Sequence, residues 1–262
     1  MRRSPLLWAA ALVVYAFLYV PLVVVVVFSF NDSKLSAEWV GFTTDWYRKL
    51  FENQEMLAAA VNSLVIAFVA AGLATVLGTM AGIAMHRYRS KILPFMVLTP
   101  IAMPEILLGV ALLIFFISTF GAESLSLATV IVAHTTFCIG FVAIIVRARL
   151  AGMDESIFEA ARDLGATPWQ TFRLVTLPLI RPGIIAGALM AFTLSIDDFV
   201  ITFFTAGVGV STLPLQIYSM IKIAVTPEVN AVSTLLMLLT LALIIIASRL
   251  APSLLGNQEE KP

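Results

Sequence analysis

Long apolar runs, separated by shorter polar segments, dominate this chain. A membrane-spanning helix needs roughly 20 apolar residues to cross a hydrocarbon core about 30 Å thick. Six runs reach that length, and they occupy residues 6–28, 57–85, 92–117, 125–146, 183–205 and 229–247. The pattern therefore predicts an all-α integral membrane protein with six transmembrane helices, folded as a single domain over residues 1–262.

Composition supports a membrane protein. Hydrophobic residues make up 60% of the chain, charged residues only 12%, and the mean hydropathy is +1.00. About a quarter of the residues in a soluble domain are charged, so these values exclude that class and make membrane lipid the first expected partner. The single cysteine, Cys138, excludes an intrachain disulfide and is interpreted as a small packing residue. We expect no metal site and no nucleic-acid partner.

The distribution of basic residues predicts the orientation in the membrane. With the first linker outside and the spans alternating, only Lys34, Arg48, Lys49 and Lys222 fall outside. The other 12 of the 16 basic residues fall inside: Arg2, Arg3, Arg87, Arg89, Lys91, Arg147, Arg149, Arg162, Arg173, Arg181, Arg249 and Lys261. Basic residues concentrate in cytoplasmic loops, so both termini are predicted to be cytoplasmic. The first run is too long for a signal peptide and lacks a cleavage site, so we expect it to be retained.

Three local patterns predict further features of the spans and linkers. Trp46, Leu50 and Phe51 fall on one side of a possible short helix in the first outer linker, where Trp39 and Trp46 are either interfacial belt residues or a partner contact. Small residues at every fourth position of the second run favour close helix packing over a dimer seam. In the third run two prolines predict a kink or break. The small residues are Ala74, Gly78 and Gly82, and the prolines are Pro100 and Pro104.

Residues 147–182 form a long polar segment that the charge distribution places in the cytoplasm. Asp154 and Glu155 precede "SIFEAARDLG", in which Gly165 predicts the end of a helix. Thr167-Pro168 then predicts a new helix start, and Leu177-Pro178 predicts its end. We therefore expect two short helices joined by a tight glycine turn, lying across the cytoplasmic mouth and presenting a ridge to another protein.

The residues of this segment resemble the cytoplasmic coupling motif of binding-protein-dependent ABC importer permeases. The resemblance rests on Glu159-Ala160-Ala161, three residues, Gly165, nine residues, and Val175-x-Leu177-Pro178. The usual isoleucine is replaced here by Val175. Other stretches, "GFTTDWY", "AHTTFC", "TLSIDDFVITFF" and "LPLQIYSMIKIAVTPEVNA", resemble the polyamine branch of that family, the spermidine/putrescine permease subunits of the PotC type.

The resemblance implies a type I ABC importer permease (MetI-like) fold and a multi-pass location in the bacterial inner membrane. It also implies three kinds of partner chain. A second homologous permease subunit would form a heterodimer with this chain, two copies of an ATPase subunit would bind ATP and Mg, and a periplasmic polyamine-binding protein would deliver substrate. The segment around Glu159 would then dock on the ATPase, and this chain would bind no cofactor itself.

Two other classes of function are weighed against this interpretation. An enzyme is disfavoured because the sequence has no Ser/His/Asp set, zinc spacing or flavin motif, and the pattern G-x-x-x-x-G-K-[ST] is absent. His134 is interpreted as a packing or pore-lining polar residue. A stand-alone channel or secondary transporter is the other alternative, and the charged inner segment favours a permease subunit over it. Transport of another small solute also stays open.

Three acidic residues fall within the predicted spans, where a carboxylate is costly unless it faces water or a partner. They are Glu105, Asp198 and Asp197, and acids facing a cavity would favour a cationic substrate. Glu105 and Asp198 are the first candidates for the substrate path. Asp197 ranks below Asp198. Adjacent residues of a helix point about 100° apart, so the two aspartates are not expected to face the same cavity. The alternative is structural: the aspartates cap a helix break, and Glu105 satisfies backbone groups freed by Pro104.

Aromatic residues follow the aspartates along the same run. Phe199, Phe203 and Phe204 are candidates to contact the alkyl or ammonium groups of a polyamine. Core packing is the alternative for each ring.

Overall fold

A computed structural model of the chain describes residues 5–33, 38–88, 90–223 and 226–250. The basic residues Arg2, Arg3, Lys34, Arg89 and Lys261, used above for the topology, lie outside the described residues. Apart from one antiparallel bridge between Asn31 and Phe42, the described regular structure is helical. The helices are α1 Pro5–Phe28, α2 Asp45–Glu52, α3 Gln54–Arg87, α4 Ile92–Ala102, α5 Glu105–Phe120, a 3₁₀ turn Ala122–Ser124, α6 Leu127–Ala151, α7 Ser156–Asp163, α8 Pro168–Thr171, a π turn Phe172–Thr176, α9 Leu177–Ile196, α10 Val200–Thr205, α11 Leu213–Ile223 and α12 Pro227–Leu250.

Four of the described helical stretches are long and apolar enough to cross a membrane: Leu7–Phe28, Gln54–Arg87, Leu127–Ala151 and Pro168–Ile196. The bent pair α4 and α5 makes a fifth if it is one span, and Pro227–Leu243 is a shorter apolar helix. The prediction of an all-helical membrane protein is confirmed. Six spans and two cytoplasmic termini stay predictions.

The predicted third span is broken, as its prolines indicated. Helices α4 and α5 meet at an angle of 106°. The break falls at Pro104, whereas Pro100 lies inside α4. The Met103 N–H donates to the Thr99 carbonyl and closes α4, and the Leu107 and Leu108 N–H groups donate to the Pro104 carbonyl and begin α5. Pro104 therefore starts a new helix where its missing N–H costs nothing.

The predicted fifth span, residues 183–205, has different limits in the structure. Its helix begins at Pro168, continues to Ile196, and is followed after a break by the short α10. The expected helix end at Leu177-Pro178 is therefore wrong. A π turn at Phe172–Thr176 precedes the proline and widens the helix there. Pro178 follows this π turn directly, as the second residue of α9.

The described residues form two compact units, of which the first comprises the chain up to Ala58 together with Leu215–Leu241. Its outer linker is organised by the buried Asn31. The Asn31 amide donates to the Glu38 carbonyl (2.7 Å) and accepts from the Val40 N–H (2.9 Å), and the Asn31 carbonyl accepts from the Trp46 indole (2.8 Å). Trp46 thus holds the linker together, whichever other surface it meets.

The predicted short helix in this linker is confirmed as α2, but its buried side differs from the expectation. Leu50 is buried and Trp46 is half-buried, whereas Phe51 is exposed. Residues 46 and 50 are one helical turn apart, while residue 51 points about 100° away from residue 50. Phe51 therefore does not share the inner face.

The second unit comprises Ala59–Pro214 and the chain from Ala242 onward, and α6 lies at its centre. Helix α6 packs against α4, α9 and α10, and α10 also packs on α5. The hydroxyl of Thr129 on α6 donates to the Thr205 carbonyl (2.9 Å), which holds the end of α10 against the start of α6. The core includes Ala133, Cys138, Val142, Ile180 and Ile196. Cys138 is buried there, as expected of a packing residue.

The small residues of α3 face α6, which confirms close helix packing within the chain. A Cβ atom on Gly78 would lie 2.6 Å from Val142 Cβ and 2.8 Å from the Ile139 carbonyl oxygen. A Cβ atom on Gly82 would lie 2.8 Å from the Ala143 carbonyl oxygen. At Gly72 on the same helix, a Cβ atom would meet nothing within 4 Å.

This contrast predicts opposite effects of two identical substitutions. Gly78→Ala forces α3 and α6 apart and should destabilise the chain by ~1–3 kcal/mol, the usual cost of overpacking. Gly72→Ala should be neutral or stabilising by up to ~1 kcal/mol, because alanine favours the helix. Thermal unfolding of the purified protein in detergent measures both. Equal unfolding midpoints for the two variants would contradict the α3–α6 contact.

Candidate functional site

The predicted coupling segment contains a folded helix–turn–helix. Helix α7 starts where the Ser156 N–H donates to Asp154 Oδ1 (2.9 Å), a bond that lowers the pKa of this carboxyl. Its end is a turn in which Gly165 has φ +76, a left-handed conformation that favours glycine. Thr167 and Gln170 then form a reciprocal capping box at the start of α8. The first helix, the glycine turn and the restart at Pro168 are therefore confirmed.

Helix α7 turns an apolar stripe outward. Ile157, Ala160 and Leu164 follow each other at spacings of three and four residues, and all three are exposed, Leu164 by 88%. Glu159 is also exposed, and Ala161 is half-buried. An amphipathic helix with an exposed apolar stripe is suited to lie in a groove of another protein.

A cavity of about 740 Å³ lies beneath this segment. The last turns of α3 and α6 line it on one side, and α7, α8 and the π turn line it on the other, leaving it open to the surface. Charged groups of both signs line it together with apolar side chains. They include His86, Arg87, Glu155, Glu159 and Arg162, with Ile83, Met153, Phe158 and Phe172. Glu159 thus lies at the junction between the outer face of α7 and this cavity.

The predicted motif ends with Leu177 and Pro178. These two residues lie outside the helix–turn–helix that contains its other members, Glu159, Ala160, Ala161 and Gly165. Both are exposed, but they belong to the first turn of α9 within the continuous helical stretch. No loop separates α8 from the span that ends at Ile196.

The predicted acids gather where two broken helices meet. Glu105 is the first residue of α5, and Asp197 and Asp198 lie in the break between α9 and α10. Helices α5 and α10 pack closely, since a Cβ atom on Gly109 would lie 2.8 Å from the Phe204 ring. Glu105 and Asp197 are both exposed.

Asp198 differs from Asp197, as expected for neighbouring residues, but it is Asp198 that turns inward. Its side chain is only 5% exposed. Its Oδ1 atom accepts hydrogen bonds from the Thr202 N–H (3.0 Å) and hydroxyl (3.2 Å), and it lies 3.3 Å from His134 Nε2. The structural alternative, an aspartate that caps a helix break, describes Asp198. Asp197 is thus the exposed member of the pair and Asp198 the buried one, and which of them contacts substrate stays a prediction.

The phenylalanines form a chain of rings beside the acids. Phe199 is half-buried, and its ring centroid lies 5.6 Å from that of Phe203. Phe203 is 53% exposed and meets Phe204 edge to face at 5.3 Å. Phe204 packs against Gly109, so it belongs to the helix contact, and Phe203 presents the most open ring of this chain of rings.

Sequence reasoning missed the polar cluster around His134. This side chain is 2% exposed, with Nδ1 2.7 Å from Ser195 Oγ and Nε2 2.8 Å from Thr202 Oγ1. The partners are 61 and 68 residues away along the chain. The one available signal was a histidine inside an apolar run. Within the described ranges, no group of three His, Cys, Asp or Glu side chains could hold a metal ion.

The sequence of this chain matches one family model and several permease proteins of transport systems. Residues 74–255 match the family model described as "Binding-protein-dependent transport system inner membrane component". The chain is 42% identical over 243 residues to the putrescine transport system permease protein PotI of Escherichia coli (strain K12), covering 90% of this chain and 86% of PotI. It is 40% identical over 250 residues to the spermidine/putrescine transport system permease protein PotC of Haemophilus influenzae, covering 94% and 96%.

Solved structures share the fold. A chain of the bacterial alginate ABC transporter, in complex with alginate pentasaccharide-bound periplasmic protein, matches with a TM-score of 0.76 at 17% identity, covering 95% of this chain and 94% of that one. A chain of the MetNI methionine ABC transporter in an inward-facing conformation matches with a TM-score of 0.65 at 24% identity, covering 77% and 98%. At these identities the likeness establishes the fold alone.

Proposed function

Because this chain belongs to the family of binding-protein-dependent transport system inner membrane components, we propose that it is the permease subunit of an ATP-driven importer of polyamines. The observation that carries the proposal is the identity of 40–42% to relatives named for putrescine and spermidine transport, which extends over at least nine-tenths of this chain. Spermidine and putrescine are cations, and the exposed acids beside the exposed ring of Phe203 suit a cation with an alkyl body.

The proposed assembly contains this chain and a second homologous permease subunit in the bacterial inner membrane. Two copies of an ATPase subunit bind ATP and Mg in the cytoplasm, and a periplasmic polyamine-binding protein delivers the substrate. This chain binds no cofactor of its own. Six transmembrane helices and two cytoplasmic termini belong to the same proposal, and the excess of basic residues in the inner segments supports that orientation.

Glu159, Ala160, Ala161 and Gly165 form the proposed ATPase contact. The outward apolar stripe of α7 supports this role, because such a stripe needs a groove to cover it. Leu177 and Pro178 take part as the link to the span, since α8, the π turn and α9 are continuous. Closure of the ATPase would then rotate or shift α9, and with it the helix break at Asp197.

Glu105 and Asp197 form the proposed cation site of the substrate path, and Phe203 supplies an aromatic face. Each acid stands at a helix break, where non-helical backbone within a membrane is tolerated only beside a cavity or buried in protein. Phe199 contacts Phe203 and supports its ring. Asp198 acts behind this surface, through its hydrogen bonds to Thr202.

Reconstitution tests the function directly. The full complex in liposomes, with its ATPase and binding protein, should take up labelled putrescine or spermidine only when ATP is supplied, and unlabelled polyamine should compete. Liposomes with the permease pair alone are the control and should show no uptake. Uptake without the ATPase would favour a channel or secondary transporter. ATP-driven uptake of a different solute, with no competition by polyamines, would assign another substrate.

A further inference from the structure

The polar cluster around His134 joins both sides of the helix break that carries the aspartates. Ser195 belongs to the last turn of α9, and Thr202 belongs to the first turn of α10. His134 on α6 contacts both: its Nδ1 lies 2.7 Å from Ser195 Oγ, and its Nε2 lies 2.8 Å from Thr202 Oγ1. Asp198, between these two residues in the sequence, has its Oδ1 3.3 Å from His134 Nε2. All four side chains are buried. One imidazole therefore holds the two helix ends in a fixed relation.

The hydrogen bonds of the cluster are mutually consistent. The Thr202 hydroxyl donates to Asp198 Oδ1, so its oxygen accepts from His134 Nε2–H. His134 Nδ1 then accepts from the Ser195 hydroxyl. In this assignment each buried donor of the three side chains has an acceptor. A network of buried polar groups that is fully satisfied makes its geometry rigid.

Fixing Asp198 also fixes the direction of Asp197. The two residues are adjacent, and the backbone at Asp197 (φ −99, ψ 0) continues the end of α9. With Asp198 held inward by Thr202 and His134, Asp197 is on the exposed side, and α10, which follows the break, packs on α5, the helix that begins at the exposed Glu105. Glu105, the first residue of α5, is also held in place, because the close contact of Gly109 with Phe204 holds α5 against α10.

We propose that His134 is a positioning residue for the cation site: it locks the break between α9 and α10 so that Asp197 stands beside Glu105. The proposal rests on the proposed function, because it takes these two acids as the cation site. His134 itself touches neither acid of the site and is closed off from the surface. Its effect on transport must therefore pass through Asp197.

A double-mutant cycle tests this route. His134→Gln replaces the imidazole with an amide that cannot reach both Ser195 and Thr202, and Thr202→Val keeps the shape of threonine but removes its hydroxyl. Each substitution should reduce ATP-driven uptake of spermidine by about fivefold to twentyfold. Uptake is expressed per assembled complex, and variants are compared at equal rates of ATP hydrolysis. In an Asp197→Asn background, the same substitutions should reduce uptake by less than about twofold further.

Three controls separate positioning from loss of fold. Thr202→Ser restores the hydroxyl and should restore uptake. Thr135 is the next buried residue of α6, and its hydroxyl donates to the Ile131 carbonyl of the same helix. Thr135→Val should therefore leave uptake unchanged. Subunit stoichiometry should be the same in all variants.

The outcomes distinguish this proposal from the proposed function. If Asp197→Asn alone leaves uptake unchanged, the cation site and the positioning role both fail. If Asp197→Asn lowers uptake but His134→Gln lowers it by the same factor in both backgrounds, the cation site stands and the positioning role is overturned. Loss of ATP hydrolysis in parallel with uptake for both His134→Gln and Thr202→Val would likewise overturn it.

Discussion

Reversing the charge at Glu159, or replacing Gly165 with proline, is expected to abolish ATP-driven uptake. Lysine at position 159 places a positive charge on the exposed face of α7, beside the apolar stripe proposed to enter the ATPase groove. Proline fixes φ near −65°, whereas Gly165 has φ +76. The turn that sets α8 relative to α7 therefore cannot form in the Gly165→Pro variant.

Co-purification of the ATPase locates the failure in these two variants. We expect the permease pair to assemble in both, with reduced or absent ATPase, because Glu159 and Gly165 are exposed and neither belongs to the buried core. Glu159→Gln removes the charge without reversing it and should have a smaller effect than Glu159→Lys.

Two alanine substitutions provide the matched comparison for the turn. Gly165→Ala adds a methyl group into open space but strains the left-handed backbone by ~1–2 kcal/mol. Gly152→Ala adds the same methyl group where φ is −88, and it should behave as the unmodified protein. Near-normal uptake in both Glu159→Lys and Gly165→Pro would refute the assignment of this segment as the ATPase contact.

The helical architecture was predictable because apolar length and proline position act locally. The break at Pro104 needs only the missing N–H and the steric demand of the ring. At Pro178 the same reasoning failed, since the π turn ahead of the proline absorbs its steric demand and lets the helix continue. A π turn leaves no clear signature in sequence, so a Leu-Pro pair could not reveal that this helix runs on to Ile196.

The candidate site was predictable in its residues and less so in their arrangement. Unpaired acids within apolar runs identified Glu105, Asp197 and Asp198. The inward side chain of Asp198 contacts Thr202 and also His134, which approaches from a helix more than 60 residues away along the chain. Without that contact, the order of the two adjacent residues cannot be deduced from helical periodicity, because the helix stops at Ile196 and periodicity no longer applies.

The fold also explains why a buried histidine is tolerated in this chain. Burying a polar group without a partner is costly, but His134 has a partner at each ring nitrogen. These partners come from the two ends of a broken helix, whose own backbone hydrogen bonds are interrupted at Asp197–Phe199. The cluster thus stabilises the break at which the exposed Asp197 stands.

Neutralising either exposed acid, by Glu105→Gln or Asp197→Asn, is expected to lower polyamine uptake by roughly fivefold to a hundredfold. Each amide keeps the size and hydrogen-bonding capacity of the side chain but removes the charge that offsets the desolvation of a cation. Losing one such charge should raise the free energy of the rate-limiting complex by ~1–3 kcal/mol, which corresponds to that range of rates. The measurement is ATP-driven uptake into liposomes that contain the full complex, with subunit stoichiometry determined in parallel.

Asp198→Asn is the informative comparison, because it removes the same charge from a buried position. Asp198 accepts two hydrogen bonds from Thr202 and lies against His134, so its replacement should lower the thermal unfolding midpoint of the complex as well as uptake. Glu105→Gln and Asp197→Asn, at exposed positions, should leave that midpoint near its original value. Unchanged uptake in both exposed-site variants, or a loss explained wholly by failed assembly, would return Glu105 and Asp197 to a structural role and reopen the choice of substrate.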